Sequence, residues 1–149
     1  MAQNVIWKTS PNYTVGRGGT AVDRIVIHYI VGNLRSCDAT FLNPDSQVSA
    51  HYGIGEGRIH QYVSVNNTAW HAGNWAFNQR SIGIEHSADP DRPPTTQTLN
   101  MSIERCVMLC RQFKLNPRTA IVPHMSVVPT ACPGTVDWEY IRDRTARQF

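Results

Sequence analysis

RIVIHYI, residues Arg24–Ile30, runs from arginine into a set of β-branched and aromatic residues interrupted by one histidine. Such a run is expected to form a buried strand at the centre of a sheet. On a strand His28 must point to the face opposite Ile27 and Tyr29. Working outward, Val48–Ile54 and Arg58–Val63 alternate around Gly55-Glu56-Gly57 and predict a hairpin. SIGIEH, residues Ser81–His86, predicts another strand, followed by a proline-rich loop at Pro90–Pro94. Ser36 is placed to cap a short helix over about residues 38–42, stopped by Pro44. Between Thr96 and Lys114 the apolar positions Leu99, Ile103, Cys106, Val107, Cys110 and Phe113 follow helical spacing. Thr119–Val122 reads as a short strand, and Asp137 caps a C-terminal helix with Trp138 and Ile141 turned inward. Residues 1–22, rich in Gly, Asn, Thr and Ser, read as an irregular arm packed on the rest. The order β–α–β–β–β–α–β–α predicts a single α/β domain over residues 1–149, a mixed sheet flanked by helices.

At 149 residues the chain is long enough for one ordinary hydrophobic core. Its 41% hydrophobic and 17% charged residues exclude a disordered or fibrous protein. A net charge of +3 without a concentrated basic face argues against a nucleic-acid binder, and leaves weak attraction to a polyanionic surface open. No apolar run approaches the ~20 residues that span a bilayer, so membrane insertion is not expected. MAQNVIWKTSPNY has no apolar core of a secretory signal, which predicts a protein made in the cytoplasm. Cys37, Cys106, Cys110 and Cys132 are not spaced as a disulfide framework, and Cys106 and Cys110 read as small buried apolar residues.

The chemistry gathers on fewer residues. His124 closes a strand and Cys132 follows in HMSVVPTACPG, where Pro129, Pro133 and Gly134 can turn the chain back. Two imidazoles and one thiolate, from His28, His124 and Cys132, make a sufficient donor set for catalytic zinc. Zinc in such a set activates water near neutral pH and polarises a carbonyl. The spacing matches no short zinc-binding pattern, and a lone histidine in a core strand is more often structural. Glu85, with apolar Ile82 and Ile84 before it on the strand, is either a strand-end carboxylate reaching water or a proton carrier in a cleft. His51 and His60 need no catalytic reason on a hairpin, and His86 must face away from Glu85.

Taken together, IVIHYIVG, VSAHYGIGEGRIHQYV, AWHAGN, NQRSIGIEH and HMSVVPTACPG resemble, in order and spacing, the zinc-dependent N-acetylmuramoyl-L-alanine amidases of type 2. That family includes phage endolysins and relatives of the peptidoglycan recognition proteins. The resemblance covers roughly residues 10–140. It implies the family's α/β fold, one zinc ion held by His28, His124 and Cys132, and Glu85 as acid/base residue. Thr130 takes the position where many amidases have lysine and recognition-type members have threonine, which offers a hydroxyl to an oxyanion. Ala50 stands where some relatives have an active-site tyrosine. The resemblance places Trp70, His71, Gly73 and Trp75 on a groove wall, adds His51 to the substrate-binding residues, and gives Asn78 and Arg80 to a stem peptide. Arg80 is expected to pair with a peptide carboxylate.

The implied activity is hydrolysis of the amide between N-acetylmuramic acid and L-alanine in bacterial peptidoglycan, by a monomer with no nucleic-acid partner. A phage or prophage endolysin released from the host cytoplasm through a holin fits the missing signal. The alternatives are a cytoplasmic enzyme recycling muropeptides and a non-catalytic peptidoglycan-binding module. Modules of the last kind typically lack the zinc cysteine, which this chain retains.

Overall fold

The structure is a computed structural model that describes residues 3–149. Among the described residues, eight strands, β1 (Val5–Trp7), β2 (Tyr13–Thr14), β3 (Arg24–Tyr29), β4 (Tyr52–Gly55), β5 (Arg58–Gln61), β6 (Thr68–Ala69), β7 (Ser81–His86) and β8 (Ile121–Pro123), are interspersed with five α-helices. The helices are α1 (Leu34–Phe41), α2 (Trp75–Arg80), α3 (Thr96–Phe113), α4 (Pro117–Ala120) and α5 (Trp138–Ala146). Six strands form one sheet in the order β1-β5-β4-β7-β3-β8, in which only the β4–β5 hairpin is antiparallel. The expected mixed α/β architecture is present. Strand β3 lies inside the sheet, and Ile25, Val26 and Ile27 are completely buried, as parallel strands covered on both faces require.

The period of two divides the sheet's faces. Ile25, Ile27, Ile82 and Ile84 join a core with Cys106, Leu109 and Cys110 of α3 and Ile141 of α5. His86 belongs to that face, where Ser102 of α3 meets its Nε2 at 2.6 Å. Cys37 and Phe41 of α1 pack with Ala50, Tyr62 and Val63 in a second cluster. His28 and Glu85 are directly paired in the β3–β7 register, so both project from the face opposite α3. That pairing is what positions the site.

Several boundaries differ from expectation. The arm is not irregular: Val5–Trp7 adds a parallel edge strand along Ile59–Gln61, and Tyr13–Thr14 pairs with Thr68–Ala69. Helix α1 begins earlier than predicted because Asn33 is its cap. The Asn33 side chain accepts from the Ser36 N–H while the Ser36 hydroxyl accepts from the Asn33 N–H, so Ser36 is the third-residue partner of a capping box. Strand β4 starts at Tyr52, and residues 48–51 run up to it without ladder pairing. Residues 117–120 form one helical turn, which delays β8 to Ile121.

Candidate metal centre and active site

Three separate elements bring the candidate ligands together. His28 comes from the buried middle of the sheet on β3, His124 from the turn directly after β8, and Cys132 from the loop that follows. The Met125 N–H donates to the Cys132 carbonyl at 2.9 Å, which folds that loop back onto the turn. One donor atom from each of His28, His124 and Cys132 lies within 4.8 Å of the others. Cys132 Sγ is 3.5 Å from His28 Nδ1 and also accepts from the Tyr29 N–H at 3.4 Å.

The donor atoms suit a metal ion. His124 Nε2 donates to the Ala72 carbonyl at 2.8 Å, so its proton is committed there and Nδ1 is a bare lone pair. That Nδ1 is buried and has no hydrogen-bond partner. A buried unpaired acceptor costs about 1–3 kcal/mol, and a cation would satisfy it. His28 likewise spends Nε2 on His71 Nδ1, at 2.9 Å, and turns Nδ1 toward the thiol. Burial, and then the nearby His124 and His86, hold His28 well below the usual histidine range, which keeps the ring neutral as a ligand must be. Burial pushes the Cys132 thiol up to about 12, with Glu85 adding to the shift, so a cation is needed to hold it as thiolate.

Glu85 Oε2 approaches His28 Nδ1 to 3.8 Å. Burial raises the Glu85 carboxyl to about 8 while it lowers His28, so this contact is not an ion pair. A carboxyl with a near-neutral pKa suits a group that must both accept and return a proton.

These residues line a solvent-open cavity of about 370 Å³, together with Tyr29, Val31, Phe41, Val48, Ser49, Trp70, His71 and Thr130. Of the expected substrate residues, Trp70 and His71 are on the wall. The Trp70 indole N–H donates to Thr14 Oγ1 at 3.1 Å, which fixes its ring against β2. Thr130 Oγ1 accepts from the Cys132 N–H at 3.2 Å, leaving the hydroxyl proton free. Ala50 is completely buried in the second cluster, and the tyrosine bordering the cavity is Tyr29.

Four of the expected substrate residues do not line this cavity. His51 is completely buried, with Nδ1 accepting from the Gly83 N–H and Nε2 against the Asn67 carbonyl, so it has no atom to offer a substrate. Asn78 is buried too, and its Oδ1 accepts from the His71 and Ala72 N–H groups. It shapes the turn that presents His71 and the Ala72 carbonyl. Arg80 is clamped to Asp23 by two parallel bonds of 2.8 and 2.6 Å rather than turned to the cavity. Trp75 is exposed at the start of α2 and is not among the cavity residues. Val31, Val48 and Ser49, which lie in the quoted segments but carry no assigned role there, also border the cavity, as does Phe41, which lies outside them.

The family profile described as N-acetylmuramoyl-L-alanine amidase matches residues 17–135, which include His28, His124 and Cys132. The chain belongs to the N-acetylmuramoyl-L-alanine amidase family. N-acetylmuramoyl-L-alanine amidase A of Achromobacter lyticus is 39% identical over 85 residues, covering 54% of this chain and 46% of that protein. The 1,6-anhydro-N-acetylmuramyl-L-alanine amidase AmpD of Haemophilus influenzae is 34% identical over 103 residues, covering 62% of this chain and 56% of its own length. The chain thus spans about half the length of these curated relatives. A mutant endolysin from Bacillus subtilis has the same fold, with a TM-score of 0.78 at 22% identity over 97% of this chain and 99% of that one.

Proposed function

We propose that this amidase-family chain is a zinc enzyme that hydrolyses the amide between N-acetylmuramic acid and L-alanine in bacterial peptidoglycan. The observation that carries this reading is the unpaired His124 Nδ1, converging with His28 Nδ1 and Cys132 Sγ beside a buried Glu85 on an open cavity. Bound there, zinc supplies a Lewis acid that activates water and polarises the scissile carbonyl. Glu85 takes a proton from the attacking water and returns it to the departing alanine nitrogen. The free hydroxyl proton of Thr130 is available to the oxygen on which negative charge develops. Trp70, Phe41 and Val48 offer the apolar wall against which a sugar or stem peptide lies.

Within this reading the chain acts as a monomeric phage or prophage lysin that meets the wall after release through a holin. The AmpD match favours a second reading, a cytoplasmic amidase acting on anhydro-muropeptides. One experiment separates them. Metal content is measured on freshly purified protein, then release of free alanine amine is followed on intact peptidoglycan and on soluble anhydro-muropeptides, before and after chelation. One zinc per chain and clearing of intact wall, abolished by chelation and restored by zinc, supports the lysin. Turnover of soluble muropeptides alone supports the recycling enzyme. Zinc without turnover of either points to a binding module, and protein isolated without zinc overturns the assignment.

A further inference from the structure

His71 sits on the cavity wall, yet its ring nitrogens both point away from any ligand. Nδ1 is 2.9 Å from His28 Nε2, and Nε2 is 3.2 Å from the hydroxyl of Ser81. Ser81 is the residue that ends α2 and begins β7, and its hydroxyl donates back one helical turn to the Phe77 carbonyl. The directions of these bonds follow from that last contact. A carbonyl can only accept, so the single Ser81 proton is committed to Phe77. The Ser81 oxygen must then accept from His71 Nε2–H. His71 Nδ1 is left with a lone pair and must accept from His28 Nε2–H. His28 Nδ1, facing Cys132, is thereby left as a lone pair.

We infer that His71 is a positioning residue of the metal centre, the middle of a relay from the Phe77 carbonyl through Ser81 that fixes the tautomer and ring plane of His28. This inference rests on the zinc reading above. Three further features agree with it. His71 is buried, and its ring meets that of His28 edge-on with centroids 5.1 Å apart, the geometry of a bond in the plane of the donor ring. Its backbone is held independently, because the N–H groups of His71 and Ala72 both donate to Asn78 Oδ1. Gly83 makes the room: a Cβ there would stand 2.6 Å from the His71 ring, so glycine inside β7 marks a close approach and not a turn. Ala72, next in the chain, performs the same service for His124 with its carbonyl. A single turn, Trp70–Ala72, therefore commits the Nε2 protons of both ligand histidines and leaves both Nδ1 atoms bare. Outer partners of this kind, when removed, typically reduce metal affinity about 10–100-fold.

The test compares zinc dissociation constants by chelator competition at one fixed pH, for the wild-type chain and the variants His71→Phe, His71→Asn and Ser81→Ala. Each variant is checked for folding by circular dichroism. His71→Phe keeps a ring but cannot accept, and is expected to bind zinc about 10–100-fold more weakly. Asparagine places an amide oxygen near the position of Nδ1 and is expected to recover most of that loss. Ser81→Ala leaves the ring and its packing in place and frees its tautomer, for a smaller, several-fold loss. Nitrogen-15 NMR of the zinc-free wild-type chain is expected to show His28 protonated at Nε2, a measurement that needs no variant to fold. A folded His71→Phe chain that binds zinc within twofold of wild type overturns the inference. So does an asparagine variant as weak as the phenylalanine one, or a His28 ring protonated at Nδ1. A wild-type chain that binds no zinc overturns the zinc reading instead, and the tautomer of His28 still decides the relay.

Discussion

His28 and His51 are both sealed inside the protein, at 2% and 0% exposure, and burial holds both rings below the usual histidine range. They nevertheless do opposite things. His51 has both nitrogens occupied, by the Gly83 N–H and the Asn67 carbonyl. His86 is likewise filled, between the His28 carbonyl and the Ser102 hydroxyl. His28 and His124 each keep one nitrogen back, and those two nitrogens converge on a thiol. Neither burial nor strand position separates a structural histidine from a candidate ligand here. An uncommitted lone pair does, and the outer partners decide which histidines have one.

The sharpest way to break that contrast is to remove a converging atom. Cys132→Ser or His124→Ala is expected to leave protein that isolates without zinc and hydrolyses peptidoglycan no faster than buffer. The fold should survive, because His124 Nδ1 satisfies no other group and His124→Ala strands only the Ala72 carbonyl, at about 1–3 kcal/mol. Elemental analysis and amine release check both halves, and a variant that keeps full zinc and turnover would break the ligand assignment.

Replacing a filled histidine should move stability and not metal. His51→Leu strands the Gly83 N–H inside the core, at about 1–3 kcal/mol, and takes a partner from the half-buried Asn67 carbonyl besides losing the imidazole's packing. Urea unfolding is expected to show a loss of about 3 kcal/mol, while the folded fraction still binds zinc with wild-type stoichiometry. Loss of zinc from a folded His51→Leu chain would erase the distinction between the two kinds of histidine.

How much of this was visible in the sequence follows the same line. The β3 run, the long helix α3 and the order of elements are legible because apolar periodicity records which side faces a core. His28 and Glu85 fall on one face by counting alone, once their strands are set side by side. Strand β1 and helix α2 are too short to carry a period: β1 exists because Ile59–Gln61 pairs with it, and α2 is tied down where Asn78 accepts from the His71 and Ala72 N–H groups. Arg80 resembled a substrate-binding residue because its partner Asp23 lies 57 positions away in the chain. The fates of His51 and Asn78 were hidden for the same reason: a polar side chain reads alike whether its partner is a ligand or a distant backbone group.

A more gradual effect comes from titrating a filled histidine. Burial, and then the neighbouring Arg17, depress His51 to about 3, against about 6.5 in the unfolded chain. The unfolded state therefore binds a proton that the folded state refuses. Stability held above pH 6.5 is lost as the pH falls from there toward about 3, by up to about 1.4 kcal/mol per pH unit from this residue. His51→Gln, which cannot titrate, should be less stable at pH 7 but show a shallower decline between pH 6 and 4. Denaturant midpoints across that window measure it, and parallel declines would show that His51 stays protonated in the fold.

The smallest expected effect concerns the cavity rim. Val31 has φ of 58°, a left-handed conformation in which a β-branched side chain is strained by about 1–2 kcal/mol. Nothing in the core compensates, because the side chain is 57% exposed and borders the cavity beside Tyr29. Glycine at this position would relieve the strain, so Val31→Gly is expected to raise stability by about 1 kcal/mol. Strain retained on an exposed apolar group at a cavity mouth has a use only if the group meets something that enters. The same variant is therefore expected to raise KM on a soluble muropeptide while leaving kcat near wild type. Stability and affinity moving in opposite directions would mark Val31 as a substrate contact. A gain in stability with an unchanged KM would make it a strained turn residue, and the cavity's selectivity would then have to reside in Trp70, Phe41 and Val48, whose backbones carry no such strain.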